Sequence, residues 1–176
     1  MKVKDICEID LVNYKKPCLF ISTYKCDFKC DRECGEDVCQ NSPLALYTTV
    51  EIADEDIAKN FLRVSVTKAI VIGGLEPFDD FEDVLGFIEV MNSELRPEHE
   101  EIDLVIYTGY TEEELQRYRQ KLIDLYSFTY NFSEVIIKCG RFIPNCEPHY
   151  DELLGVKLAS DNQYAKRLTE VLGLED

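Results

Sequence analysis

Apolar residues gather along the chain in short runs that alternate with longer stretches of helical spacing. Pro17–Ser22 (PCLFIS) is an apolar run of strand length, and Lys68–Ile72 (KAIVI), Ile102–Tyr107 (IDLVIY) and Ser133–Lys138 (SEVIIK) repeat the pattern. Between them, Ile57, Phe61, Leu62 and Val64 form a helical stripe over Asp54–Val64. Val84, Leu85, Ile88 and Met91 mark a second helix from Phe81 to Leu95, with Asp80 placed to cap it. Thr111 and Glu114 have capping-box spacing for a helix running to Leu125, and Asp161 is placed to cap a last helix through Val171. Strands alternating with helices predict an α/β fold, a parallel sheet with right-handed crossovers. One segment breaks the rhythm. Thr23–Tyr47 follows the first strand without periodicity, and a loop of that length is uncommon in a compact domain unless it has a task.

The 176 residues suit one domain with a core large enough to need no disulfides, and no repeat, low-complexity stretch or Gly/Ser linker divides 1–176. A closed eight-unit β/α barrel takes about 250 residues and is excluded. The 35 acidic against 19 basic residues give a net charge of −16, which repels polyphosphate and argues against nucleic-acid or anionic-membrane binding. No apolar run approaches the ~20 residues of a membrane span. The opening MKVKDICEIDLV lacks the apolar stretch of a signal peptide, so a cytoplasmic location is expected. There, eight cysteines are reduced thiols available to metal.

Their distribution carries the chemistry. Cys26, Cys30, Cys34 and Cys39 lie within fourteen residues, while Cys7 and Cys18 read as packing side chains. Cys139, Cys146 and His149 make an incomplete ligand set, and His99 reads as a solvated turn residue. The carboxylate runs Glu51–Asp56 and Glu112–Glu114 read as exposed helix starts. The cluster spacing is Cys-x3-Cys-x3-Cys-x4-Cys. Four such thiolates can hold a zinc ion or a four-iron cubane, but the two-residue gaps of zinc knuckles are absent. Three thiolates on a cubane leave one iron open. In a parallel α/β sheet, ligands bind at the carboxyl ends of the strands. The cysteine loop, Gly73–Pro77 and Thr108–Tyr110 follow the first, second and third strands, which predicts one shared site.

The run TYKCDFKC…VCQNSPLA resembles the cluster loop of radical S-adenosylmethionine enzymes. It is most similar to the short activating proteins of anaerobic ribonucleotide reductase and other glycyl-radical enzyme activases. Their loop reads Cys-x3-Cys-x2-Cys, with an apolar or aromatic residue before the third cysteine and Asn soon after it. Val38-Cys39-Gln40-Asn41 matches that ending, so the resemblance implies Cys26, Cys30 and Cys39 as ligands of a 4Fe-4S cluster, across a second gap of eight residues. Cys34 is the alternative third ligand, closer in spacing but flanked by Glu33 and Gly35-Glu36.

GGLEP (Gly73, Gly74, Leu75, Glu76, Pro77) resembles the family's Gly-Gly-Glu-Pro motif with Leu75 inserted. In the family that strand end meets the amino group of the methionine moiety; glycines admit a close ligand, and Glu76 or carbonyls accept from an ammonium. IYTGYTEEEL adds Tyr107 and Thr108, and Ser160-Asp161-Asn162-Gln163 resembles a Ser-x-Asn-Gln near the family's C-terminus, adding Asn162 and Gln163. With Val38 and Asn41 these are the expected S-adenosylmethionine contacts. The plainer alternatives are a Gly-Gly turn with Pro77 starting a helix, Tyr107 and Tyr110 as core aromatics, and local hydrogen bonds from Asn162 and Gln163.

The resemblance implies an open partial β/α barrel and an anaerobic oxidoreductase. An external donor would supply one electron to the cluster, S-adenosylmethionine would be cleaved to methionine and a 5′-deoxyadenosyl radical, and no side chain would act as general acid or base. The chain has little beyond a minimal core, which implies a protein substrate, a glycyl-radical enzyme such as anaerobic ribonucleotide reductase. The competing class is a non-enzymatic module whose zinc or iron–sulfur centre serves interaction or electron transfer.

Overall fold

The four apolar runs become the centre of a single seven-stranded sheet in a computed structural model that describes residues 1–96 and 101–174; His99 lies outside them. The strands are β1 (Lys2–Asp10), β2 (Cys18–Thr23), β3 (Val50–Glu51), β4 (Ala69–Gly74), β5 (Asp103–Tyr107), β6 (Val135–Cys139) and β9 (Tyr164–Arg167). A separate hairpin pairs β7 (His149–Asp151) with β8 (Val156–Leu158). The sheet order is β3-β1-β2-β4-β5-β6-β9, and β2, β4, β5 and β6 are mutually parallel. Their register sets Thr23 beside Gly74 and Tyr107 beside Lys138, so the carboxyl ends align.

Both flanks are antiparallel, which the expectation of a purely parallel sheet did not include. β1 pairs with β2, with register shifts between Val3 and Asp5 and between Cys7 and Asp10. β3 covers β1 only at Lys2 and Val3. At the other side β9 pairs with β6 from Ile136 to Cys139. The sheet is therefore large, mixed and mostly parallel at its centre; the described residues form no closed barrel.

Helices α1 (Lys29–Cys34), α2 (Asp54–Arg63), α3 (Phe81–Glu94), α4 (Glu112–Leu115), α5 (Arg119–Ser127) and α6 (Leu168–Leu172) fill the connections. On one sheet face Ile21, Ile70, Ile72, Leu104 and Ile106 bury against Phe61, Phe81, Phe87, Ile88, Met91 and Leu122. On the other face Cys18, Val71, Val105 and Ile136 bury against Tyr14 from the β1–β2 loop and Leu154 and Leu158 from the hairpin. Coverage on both faces explains why these strands are apolar runs rather than alternating ones. Each fully buried aliphatic or Phe side chain contributes about 1.5–3 kcal/mol. No helix among the described residues is long and apolar enough to cross a membrane.

Four local expectations are corrected. Asp80 makes no capping bond to α3 and instead lies by the Tyr24 hydroxyl; Glu76 takes the capping role for the 3-10 turn Pro77–Asp80 through Phe78 N. The helix begun by the Thr111–Glu114 capping box is interrupted by a 3-10 turn at Gln116–Tyr118, where Gln116 and Arg119 donate to the Val171 and Leu172 carbonyls of α6. Asp161 starts no helix. Residues 164–167 extend to cover the edge of β6, which would otherwise present unpaired main-chain groups, and the helix shrinks to Leu168–Leu172. Cys7, expected to pack, is exposed, whereas Cys18 is fully buried.

Candidate cofactor site

The aligned carboxyl ends of β2, β4, β5 and β6 open onto a cleft of about 340 Å³. Cys26, Cys30 and Cys39 line it, together with Asn41, Gly74, Leu75, Glu76, Tyr107, Thr108, Lys138 and Gln163. Cys34 does not line it and sits exposed at the end of α1.

The cysteine loop reaches this arrangement by local devices. Phe28 enters α1 in the left-handed region at φ 52°, and the Asp27 carboxylate accepts from Lys29 N at 3.0 Å. Gly35 leaves α1 at φ 75°, a conformation that favours glycine, with its N–H on Asp31 O at 2.8 Å. Asp31 then closes the eight-residue gap: its Oδ1 accepts from Val38 N at 2.8 Å and Cys39 N at 2.7 Å. That fold brings the Cys39 thiol near enough to Cys30 and Cys26 for the three to interact electrostatically. Burial, the largest cause, pushes the Cys26 and Cys30 thiols up to about 12. A metal must therefore displace their protons, as thiolate ligation requires.

Opposite the thiols stands GGLEP. Gly74 turns at φ +78°, and a Cβ there would lie 2.9 Å from Ser22 Cβ and 3.0 Å from Ser22 Cα, so glycine is required by both torsion and space. Leu75 is buried, and Glu76 N donates to Lys25 O at 2.9 Å, joining the motif to the start of the cysteine loop. The Glu76 carboxylate accepts from Phe78 N (3.0 Å), Thr108 Oγ1 (2.7 Å) and Gly109 N (2.8 Å). Burial outweighs these bonds and raises its pKa to about 7.

Gly73, Pro77, Val38 and Asn162 fall outside the lining. Gly73 packs beneath Tyr107, and Pro77 is buried in the 3-10 turn. Asn162 donates from Nδ2 to Arg141 O at 2.8 Å, and Gln163 accepts from Ala159 N and Ser160 N while donating to Gly140 O at 3.3 Å. This pair fastens the backbone that follows β6, and only Gln163 also faces the cleft. Tyr107 donates its hydroxyl to Asn13 O at 2.6 Å. Cys146 lies beside Asp161, and Cys139 is fully buried; they do not assemble a site with His149. Among the described residues, the group of metal-capable side chains that does gather is Cys26, Asp27 and Asp79.

Lys138 is the residue the sequence reading missed. It is 7% exposed, its ammonium donates to Gly140 O at 2.9 Å and lies 5.8 Å from the Tyr107 ring centre, and burial lowers its pKa to about 8. Its signal was a lysine ending an otherwise apolar strand, SEVIIK. An inward ammonium at that depth is costly unless it meets an anion.

A cleft with several thiols on one wall and two buried opposite charges on the others is a metallocofactor site. The chain matches the model of the 4Fe-4S single cluster domain over residues 16–145 and belongs to that family. The matched span holds the whole cysteine loop and all four parallel strands, and the family assigns the chain a 4Fe-4S cluster. The site fits the group, because sulfur donors from a single loop face one cleft. No curated protein and no solved structure matches the chain.

Proposed function

We propose that Cys26, Cys30 and Cys39 hold the cluster and that S-adenosylmethionine binds beside it, making the chain a radical S-adenosylmethionine enzyme. The observation that carries this reading is the convergence of three loop thiols, Glu76 and Lys138 on one cleft at the parallel strand ends. An amino-acid moiety is a zwitterion, and the cleft offers a buried carboxylate for its ammonium and a buried ammonium for its carboxylate. Gly74 admits close approach of the backbone, Thr108 and Gly109 hold Glu76 in place, and Asn41 and Gln163 supply neutral polar contacts. Val38, Gly73, Pro77, Tyr107 and Asn162 support these groups from the loop and strand ends. Cys34 stays outside.

A cluster held by Cys26, Cys30 and Cys39 would supply the chemistry, one-electron reductive cleavage of S-adenosylmethionine bound beside it. This chain's residues bind, orient and exclude water; none needs to move a proton. In this reading the four parallel strands are the core of an open partial β/α barrel. A cleft of about 340 Å³ is at the low end of pockets for a single small ligand, which favours a hydrogen donor presented by a protein partner. A glycyl-radical enzyme such as anaerobic ribonucleotide reductase fits that role, with an external electron donor. The eight free cysteines accord with a cytoplasmic setting.

The test is anaerobic reconstitution with iron and sulfide, then dithionite and S-adenosylmethionine. Both 5′-deoxyadenosine and methionine are expected; a fully loaded cluster yielding neither overturns the enzyme reading. Cys26→Ala, Cys30→Ala and Cys39→Ala should each lose iron while Cys34→Ala keeps it. Loss in Cys34→Ala with retention in Cys39→Ala overturns the ligand set. An electron-transfer module accounts for the cysteine loop but leaves Glu76 and Lys138 facing a cleft with nothing to bind.

A further inference from the structure

Helix α1 carries Cys30, yet none of its six residues is buried, and a helix that short is not stable alone. Apolar packing does not place it. Charge does. Lys29, the first residue of α1, pairs through its ammonium with Glu114 at the start of α4. Arg141, two residues beyond β6, donates from one guanidinium nitrogen to the same carboxylate at 2.8 and 2.9 Å and reaches Glu33 of α1 at 3.5 Å. Lys29 and Arg141 stand 5.7 and 5.6 Å from the centre of the Tyr110 ring. The Tyr110 hydroxyl donates to Asp79 at 2.8 Å, and the other Asp79 oxygen accepts from Asp27 N at 2.8 Å.

The network is built to hold. Arg141 and Glu114 side chains are only 12% and 16% exposed, so solvent screens them less than a surface pair. Glu114 is fixed by its capping box with Thr111, and the Arg141 carbonyl is held by Asn162.

From this we infer that Glu114 and Arg141 are positioning residues, an electrostatic latch that fastens α1 and with it the Cys26–Cys39 loop onto the cleft. Loop order is then sensitive to salt while the sheet is not. The latch is independent of which ligand fills the cleft; only its effect on cluster retention rests on the ligand set proposed above.

The test is hydrogen exchange of the cluster-free, reduced full chain at low and molar salt, with Glu114→Gln, Arg141→Met and Lys29→Met. Each variant should speed exchange at residues 27–34 by about tenfold, the scale of one lost charge-assisted hydrogen bond, with β4, β5 and β6 still protected. Molar salt should speed the same amides in the wild type and not in Glu114→Gln. Lys29→Met combined with Arg141→Met should be at least as fast as Glu114→Gln, since it removes both cations from Glu114 and also the reach of Arg141 to Glu33. Unchanged exchange in Glu114→Gln, or a wild type indifferent to salt, overturns the latch. Should Glu114→Gln loosen the whole sheet, Lys29→Met decides, because it leaves the capping box intact; unchanged exchange at 27–34 there also overturns it. In reconstituted protein, a chelator should strip iron faster from each variant. Faster exchange with unchanged iron release supports the latch and counts against the ligand set.

Discussion

Glu76 puts a measurable pH dependence into the fold. The side chain is 8% exposed, and three donors on its two oxygens do not offset the loss of water. Its pKa stands at about 7 in the folded chain against an ordinary 4.5. Each tenfold change in proton affinity is worth about 1.4 kcal/mol, so the ionised carboxylate costs the folded state about 3 kcal/mol. The folded chain holds this proton more tightly than the unfolded one. The stabilisation is therefore complete below about pH 4.5 and lost as the pH rises to about 7. Glu114, lowered to about 2 chiefly by Lys29, Thr111 and Arg141 against opposing burial, changes stability only in a more acidic window. Glu76→Gln removes the ionisation. Its amide nitrogen would also face Gly109 N–H, donor against donor, lowering stability at acid pH by about 1–3 kcal/mol. Urea unfolding of the cluster-free, reduced chain between about pH 5 and pH 8 reads both effects. The wild type should lose about 3 kcal/mol across the range and the variant should be flat. Parallel profiles for the two proteins would refute the assignment.

Lys138→Met should stabilise the ligand-free chain at neutral pH by about 1–3 kcal/mol, because burial has depressed the ammonium to about 8 and its cost is full below that value. The gain should fade as the pH rises towards 10.5, while binding of a carboxylate-bearing ligand falls; thermal midpoints and titration calorimetry read the two effects. Gly74→Ala, with φ +78° and a Cβ 2.9 Å from Ser22, should cost about 2 kcal/mol or more in urea unfolding. Gln163→Ala removes three hydrogen bonds around the turn before β9 and should cost about 1–3 kcal/mol in the same assay, with stability recovered in Gln163→Glu only at acid pH, where a neutral carboxyl can donate to Gly140 O.

Periodicity reported the parallel centre because both sheet faces are buried, and it reported α2 and α3 because each buries one stripe. It was silent on β1, whose KVKDICEID is mostly exposed, and on β9, whose YAKR pairs only because β6 needs a neighbour. Those strands are set by tertiary pairing rather than by local preference. In the site, residue types at strand ends pointed to one cleft, and Glu76 and Gly74 line it. Cys39 reaches Cys30 through the two bonds to Asp31, a device that spacing does not reveal. Asn162 has a motif's place but a turn's task, and Lys138 was hidden inside an apolar run until the register set it beside Tyr107.

β1 has one further consequence, for colloidal behaviour. Beyond Val3 its outer edge has no neighbouring strand among the described residues, and an uncovered edge invites strand addition by other chains. Two register shifts bend that edge, and Lys4, Asp5, Glu8 and Asp10 stud it with charge. A crooked, charged edge is a poor template for a growing fibril. Deleting Lys4 would remove the extra residue between Val3 and Asp5 and straighten the ladder. Light scattering should then rise with concentration for the cluster-free chain, even at its net charge of −16.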